Sequence, residues 1–142
     1  MYSLASKNED FQLLQSIHGI GPKIAATFIA SVGSVYHFKN GRNMTAWIGL
    51  TPKQHSSGEK QQMGGISKRG NRELRRLLIH GARAVVNWCE EKTDALSMWI
   101  NTLSKRAHPR KVIVALENKI ARIAWAVLTC RNTYSAESAY NA

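Results

Sequence analysis

The chain has few cysteines and no long apolar segment. No stretch approaches the roughly 18 consecutive apolar residues that a membrane span requires. The polar N-terminus has no signal-peptide core, so we expect a cytoplasmic protein with no membrane partner. The two cysteines, Cys89 and Cys130, lie in apolar helical patterns without the spacing of zinc ligands, which favours ordinary core thiols.

Acidic residues are also scarce. Nine aspartates and glutamates stand against 20 lysines and arginines, a formal net charge of +11. The carboxylates form no convincing metal cluster, so we expect no metal in this chain. The basic excess lies in two blocks: residues 53–83 hold eight basic and two acidic residues, and residues 101–131 hold seven and one. Such a charge favours nucleic acid as partner, although a basic block is often only a solvated face.

The length of 142 residues and the 44% hydrophobic content fit one domain with one core. The spacing of the apolar residues predicts an all-α fold. It contains a helix-hairpin-helix, a glycine-rich loop over residues 51–71, and three longer helices. The predicted helices cover about residues 11–17 behind an Asp10 cap, 22–32, 44–48, 71–89 behind an Asn71 cap, a segment behind Thr93 or Asp94, and 109–131.

The domain boundaries follow from the same pattern. We expect an N-terminal lead-in over residues 1–14, the domain itself over residues 15–131, and a disordered tail over residues 132–142. The tryptophans lie in apolar helical patterns, where packing in the core is the expected role: Trp47, Trp88, Trp99 and Trp125.

The first predicted helix pair is joined by a glycine-rich turn. Gly19 and Gly21 allow a close approach of the backbone, Pro22 is suited to the first position of a helix, and Lys23 adds a cation. A helix N-terminus in this setting favours a bound phosphate. The alternative is a plain packing corner, because glycine-linked helix pairs are common.

Other basic residues lie at the starts of later helices. Cations there oppose the helix macrodipole, and a bound phosphate reverses that penalty. The alternative is a solvated face. The candidates for nucleic-acid contact are Lys68, Arg69, Arg72, Arg75, Arg76, Arg110 and Lys111.

The glycine-rich loop contains candidate nucleophiles. Ser56, Ser57 and Ser67 lie near His55 and several cations, which stabilise a charged transition state. No Ser-His-Asp order is visible. The chemistry of these residues alone therefore favours a solvated turn.

The ordered set of motifs resembles the C-terminal domain of the insertion-sequence one-ten family of transposases. These are DEDD-type enzymes related to the pilin-inversion recombinases, and some are guided by a bridge RNA. The likeness covers about residues 15–130. The matching segments are Gly19-Ile20-Gly21-Pro22, Phe38, Gly49-Leu50-Thr51-Pro52, Ser57-Gly58, Ile66-Ser67-Lys68-Arg69-Gly70-Asn71, Leu74-Arg75-Arg76 and Pro109-Arg110-Lys111-Val112.

The resemblance implies a domain that binds DNA, in the full enzymes also guide RNA, and attacks a phosphodiester through a serine. Ser57 is the best match to that serine, and Ser67 is the second choice. The family also has a RuvC-like domain whose four acidic residues hold a divalent metal, expected to be Mg²⁺. We expect this chain to lack that domain and to be a truncated or split transposase, or a fragment of one, with a homo-oligomer expected for the full enzyme. The alternatives are a non-enzymatic helix-hairpin-helix DNA-binding module and an inactive remnant.

Overall fold

Six α-helices account for most of the residues that the structure describes. The computed structural model describes residues 4–50, 68–89 and 94–134, with side chains from residue 9 in the first range and from residue 72 in the second. Within these ranges the fold is all-α without strands, as predicted. The elements are α1 (Leu4–Gln15), α2 (Pro22–Val32), a short 3₁₀ helix (Val35–His37), α3 (Gly41–Ile48), α4 (Lys68–Trp88), α5 (Ala95–Ser104) and α6 (Pro109–Cys130).

Local signals explain several helix ends. Pro22 is the first residue of α2, where its missing N–H is no loss, and Gly33 ends that helix at φ +73°. The prediction for this helix is confirmed. The Asn40 side chain caps α3 by accepting the N–H of Asn43 at 2.8 Å, and Asp94 caps α5 through the N–H of Ser97 at 3.2 Å.

Two of the predicted helix starts are wrong. α1 begins at Leu4, so Asp10 lies inside the helix instead of capping it. Its carboxylate is buried and accepts a hydrogen bond from the guanidinium of Arg131, at the end of α6. α4 begins at Lys68, so Asn71 belongs to its first turn and is not its cap.

α6 lies at the centre of the fold and packs against α1, α3, α4 and α5. The largest fully buried side chains come from all six helices and include Leu14, Phe28, Met44, Leu74, Ile100 and Ile120. Trp88 and Cys130 depart from the prediction, because both are exposed at the ends of their helices. None of the helices in the described ranges has the length and apolarity that a bilayer crossing requires.

The first residues of the predicted disordered tail are in contact with the domain. The N–H of Tyr134 donates to the hydroxyl of Ser16 at 2.9 Å, and its ring lies edge-on to that of His18. Burial raises the pKa of the Tyr134 hydroxyl to about 12. Residues 135–142 lie outside the described ranges, and the predicted domain boundaries stay a prediction.

Candidate nucleic-acid interface

The turn between α1 and α2 is packed tightly against α4. Gly19 has φ +95°, a left-handed conformation that favours glycine. A Cβ atom on Gly19 would lie 3.0 Å from the side chain of Val85 and 3.2 Å from that of Ile120. A Cβ on Gly81 of α4 would collide with the carbonyl oxygen of Gly19. Gly19 therefore has a packing role, whatever the turn binds.

Gly21, in contrast, faces open space. It is the N-cap of α2 with an extended backbone, no side-chain cap hydrogen bond and nothing within 4 Å of a Cβ position. The first backbone N–H groups of a helix have no acceptor within the helix and carry partial positive charge. Lys23 is exposed in this same turn. The start of α2 therefore has the geometry that favours an anion.

The first described turns of α4 add basic side chains beside this helix end. Arg72 and Arg76 are exposed and lie four residues apart on one side of α4. Arg76 also pairs with Glu73 at 2.7 Å. The hydrogen bond from Arg76, together with the charges of Arg76 and Lys23, holds the pKa of Glu73 below its ordinary value. Gly21, Lys23, Arg72 and Arg76 are named here the α2–α4 face.

The side chain of Arg75 contacts the end of α3. Its Nη1 donates to the carbonyl oxygen of Ile48 at 2.7 Å, next to Gly49, which ends α3 at φ +95°. The guanidinium thereby satisfies one of the carbonyl groups that the end of a helix leaves without an internal partner. The structure separates Arg75 from Arg72 and Arg76, and its nucleic-acid contact stays a prediction.

Arg110 and Lys111 are exposed at the start of α6. The backbone of this helix end is already bonded, because the imidazole Nδ1 of His108 accepts the N–H of Arg110 at 3.1 Å. The N–H groups of Lys111 and Val112 both donate to the carbonyl oxygen of His108. At this helix end an anion would contact the side chains of Arg110 and Lys111. The backbone N–H groups of Arg110, Lys111 and Val112 are already bonded, in contrast to the start of α2.

Two consecutive residues of α6, the buried Glu117 and the half-buried Asn118, are absent from the predicted site. Asn118 donates from Nδ2 to the carbonyl oxygen of Leu50 at 3.1 Å. The neighbouring Glu117 is 3% exposed, and its Oε2 accepts no hydrogen bond from the described residues. Burial raises the pKa of Glu117 to about 7, against the opposing charge of Arg75. Glu117 is the only acidic residue in the basic block 101–131, which is the signal that could have found it.

Comparison with known proteins identifies the family. Residues 11–97 match the model of the Transposase IS116/IS110/IS902 family. The chain belongs to this family. The transposase for insertion sequence element IS1111A of Coxiella burnetii is 49% identical over 93% of this chain and 36% of its own length. A probable family 20 transposase of Pseudomonas aeruginosa is 51% identical over 87% of the chain, and the transposase for insertion sequence element IS1328 of Yersinia enterocolitica is 39% identical over 90%.

The chain spans about a third of the length of the relatives it matches. The α2–α4 face and Ser57 fall inside the matched residues 11–97, whereas Arg110 and Lys111 lie beyond them. Ser57 itself lies outside the described residues, and so do the side chains of Lys68 and Arg69. Their roles stay predictions.

Metal-binding side chains do not lie close together in the described part of the chain. No group of three or more histidine, cysteine, aspartate or glutamate side chains there could hold a metal ion. These described residues therefore do not fit a divalent-metal site.

Proposed function

We propose that this chain is the DNA-binding, serine-bearing part of an insertion-sequence transposase. The observation that carries the proposal is the α2–α4 face, where an uncapped helix N-terminus and Lys23 lie near enough to the Glu73–Arg76 pair for the charge of Lys23 to act on Glu73, and Arg72 is exposed one turn before Arg76 on α4. Backbone amides and guanidinium groups both bind phosphate oxygens, so this face suits the sugar-phosphate backbone of DNA. Phosphate contacts position a protein on DNA without reading its sequence.

In this proposal Ser57 carries out strand transfer. Its hydroxyl oxygen attacks a DNA phosphorus, an Oγ–P bond forms, and one bridging P–O bond breaks. The proton lost by the serine is balanced by the proton taken up by the released DNA hydroxyl. The energy of the phosphodiester is kept in the protein–DNA linkage, so a second DNA end can reverse the reaction and rejoin. Ser67 is the second choice for this role.

In the full enzyme, a RuvC-like domain contributes the four acidic residues and the Mg²⁺ that they hold. We further propose guide RNA as an additional partner and a homo-oligomer as the working form. The alternative, a non-enzymatic DNA-binding module, has the same α2–α4 face and differs only in the absence of serine chemistry.

The binding step is tested with the double variant Lys23→Ala/Arg72→Ala and a labelled DNA duplex, followed by fluorescence anisotropy. Loss of two phosphate contacts should weaken binding by tenfold or more and reduce the slope of log K against log salt by about 2. The matched control is Lys105→Ala/Arg106→Ala, which removes two exposed charges at the end of α5. Equal losses in both variants would contradict the assignment of the α2–α4 face.

The serine step is tested with serine variants of the chain joined to a RuvC-like domain. Each variant is incubated with nicked DNA, and the covalent protein–DNA adduct is measured. Ser57→Ala should abolish an adduct that resists denaturant, while Ser67→Ala should retain it, and both should bind DNA as the unsubstituted chain does. An adduct that persists in Ser57→Ala removes Ser57 from the role. DNA binding without an adduct in any variant supports the non-enzymatic alternative.

A further inference from the structure

The solvent side of α4 carries a line of exposed polar residues, most of them basic. Its members are spaced three or four positions apart: Arg72, Arg76, His80, Arg83 and Asn87. At 100° per residue they fall within about 80° of one another, so they lie on one side of the helix and extend over roughly 22 Å. These five residues are named here the α4 line.

The α4 line continues the α2–α4 face. The hydrogen bond from Arg76 lowers the pKa of Glu73, and the charge of Lys23 adds to this effect, so Lys23 of α2 lies beside the line. The exposed Arg83 extends the same row of cations towards the end of α4. A row of cations along a helix matches phosphates that repeat along one strand of a nucleic acid.

Exposed aromatic rings lie where the α4 line ends. Trp88 is the last residue of α4 and is 39% exposed. The exposed ring of His18, from the turn between α1 and α2, lies edge-on to Trp88 with the ring centres 5.2 Å apart. The same ring lies edge-on to Tyr134 at 5.3 Å. These three rings are named here the aromatic cluster, and it holds an exposed indole at the surface of the domain.

The aromatic cluster lies to one side of the α4 line. Trp88 follows Arg83 by five residues, roughly 8 Å along the helix and about 140° around it. Bases project sideways from a sugar-phosphate chain, so a ring that stacks on a base lies beside the row of cations and not within it. Sites for single strands combine these two parts, a positive surface for the backbone and aromatic rings for the bases.

A base must leave the stack to use such a ring. In a paired duplex the neighbouring bases cover both faces of each base, whereas an unpaired base can turn out towards a side chain at a lower cost. Contacts to the phosphates of a duplex need no aromatic ring. The exposed indole beside a row of cations therefore favours an unpaired strand over a fully paired one.

We propose that the DNA bound by this chain is unpaired where it crosses the end of α4. Its phosphates lie along the α4 line, and one of its bases stacks on Trp88 in the aromatic cluster. The inference rests on the proposed function, because it takes DNA as the partner of the α2–α4 face. DNA is the polymer chosen, since the family is one of transposases and neither the stacking nor the phosphate contacts use a 2′-hydroxyl.

The experiment compares two blunt DNA duplexes of roughly 20 base pairs, about two helical turns. One is fully paired, and the other has a short central run of mismatched pairs, so both carry the same number of phosphates. By fluorescence anisotropy, the unsubstituted chain should bind the mismatched duplex about fivefold or more tightly than the paired one, as expected for one stacked base. Trp88→Ala and Trp88→Leu should bind both duplexes equally.

Matched variants separate stacking from charge and from folding. Trp88→Tyr keeps an aromatic face and should retain the preference for the mismatched duplex. Tyr36→Ala removes another exposed ring, in the 3₁₀ helix, and should retain it as well. Arg83→Gln should weaken binding of both duplexes alike and reduce the slope of log K against log salt by about 1. Circular dichroism checks that each variant is folded, and Trp88→Leu keeps an apolar side chain at that position.

The outcomes distinguish this inference from the proposed function. A preference for mismatches that persists in Trp88→Ala and Trp88→Leu overturns the role of the aromatic cluster. Equal binding of both duplexes by the unsubstituted chain overturns the inference and leaves the α2–α4 face intact. Tighter binding of the same mismatched sequence as RNA, lost in Trp88→Ala, overturns DNA as the polymer. No binding of either DNA duplex overturns the proposed function as well.

Discussion

At the scale of single residues, the buried carboxyl of Glu117 has a high free-energy cost. Its carboxyl is buried beside Asn118, and neither Glu117 Oε2 nor Asn118 Oδ1 has a hydrogen-bond partner among the described residues. A buried acceptor is costly unless a donor is supplied. A proton on Glu117 is the simplest donor, and it removes the cost of a buried negative charge.

The Glu117→Gln variant should be stabilised relative to the unsubstituted chain as the pH rises. The ordinary pKa of this carboxyl is 4.5 and the folded pKa is about 7, so the folded state binds the proton more tightly. Stability contributed by this group is fully present below pH 4.5 and is lost as the pH rises through 7. The difference in free energy of unfolding should reach about 3 kcal/mol above pH 7, measured by urea denaturation.

An exposed carboxylate provides the control. The pKa of Glu73 is held below its ordinary value by Arg76, so Glu73→Gln should have the opposite sign and lose stability relative to the unsubstituted chain as the pH rises. A Glu117→Gln variant whose relative stability does not change between pH 4.5 and 7 would show that Glu117 titrates normally.

At the scale of helices, the contact between Gly19 and Gly81 fixes how the α1–α2 turn meets α4. Gly81→Ala should destabilise the chain by about 1–3 kcal/mol, because the new methyl group collides with the Gly19 carbonyl and forces the helices apart. This loss should appear although alanine favours the helix by up to about 1 kcal/mol. Thermal unfolding followed by circular dichroism measures it.

Gly21→Ala is the matched comparison for that change. A methyl group at Gly21 meets nothing within 4 Å and φ is −93°, so the only expected loss is the poorer N-cap that alanine makes, about 0.5 kcal/mol. Similar destabilisation in both variants would mean that the turn is sensitive to any side chain, and the specific contact with Gly81 would lose its support.

The helix ends show which signals the sequence carries. Pro22, Gly33 and Asp94 act through their own backbone or through a residue three positions away, so their helices could be predicted from local spacing. The start of α1 could not, because Asp10 is held by Arg131, 121 residues along the chain. The sequence pattern of a helix cap therefore does not show that Asp10 pairs with a distant arginine in the fold.

At the scale of the whole molecule, Arg131 joins the end of α6 to α1. Its guanidinium binds the buried Asp10 and also Glu9 at 2.6 Å. Arg131→Met should lower the free energy of unfolding by about 1–3 kcal/mol, because it leaves the Asp10 carboxylate buried without a partner. Urea denaturation measures the loss.

The partner substitution tests the cause of that loss. Asp10→Asn/Arg131→Met should recover part of the stability, since no unpaired charge remains in the double variant. If the double variant is as unstable as the sum of the single changes, the two residues do not act as a pair.

Only part of the candidate site could be predicted from the sequence. Lys23, Arg72 and Arg76 could be named from the sequence as basic residues near predicted helix starts. Because α4 begins at Lys68, Arg72 lies in its second turn and Arg76 in its third. Arg75 shows the limit of that reasoning, since its link to Ile48 spans 27 residues and depends on tertiary packing. Lys119 shows the same limit, because it stands in a basic block of the sequence but is buried against the ring of Trp99 in the fold.

The central position of α6 means that a change in this helix is not confined to one contact. α1, α3, α4 and α5 all pack against it, so a substitution that displaces α6 should alter each of these contacts at once. The turn between α1 and α2 is affected as well, because Ile120 of α6 packs close to Gly19.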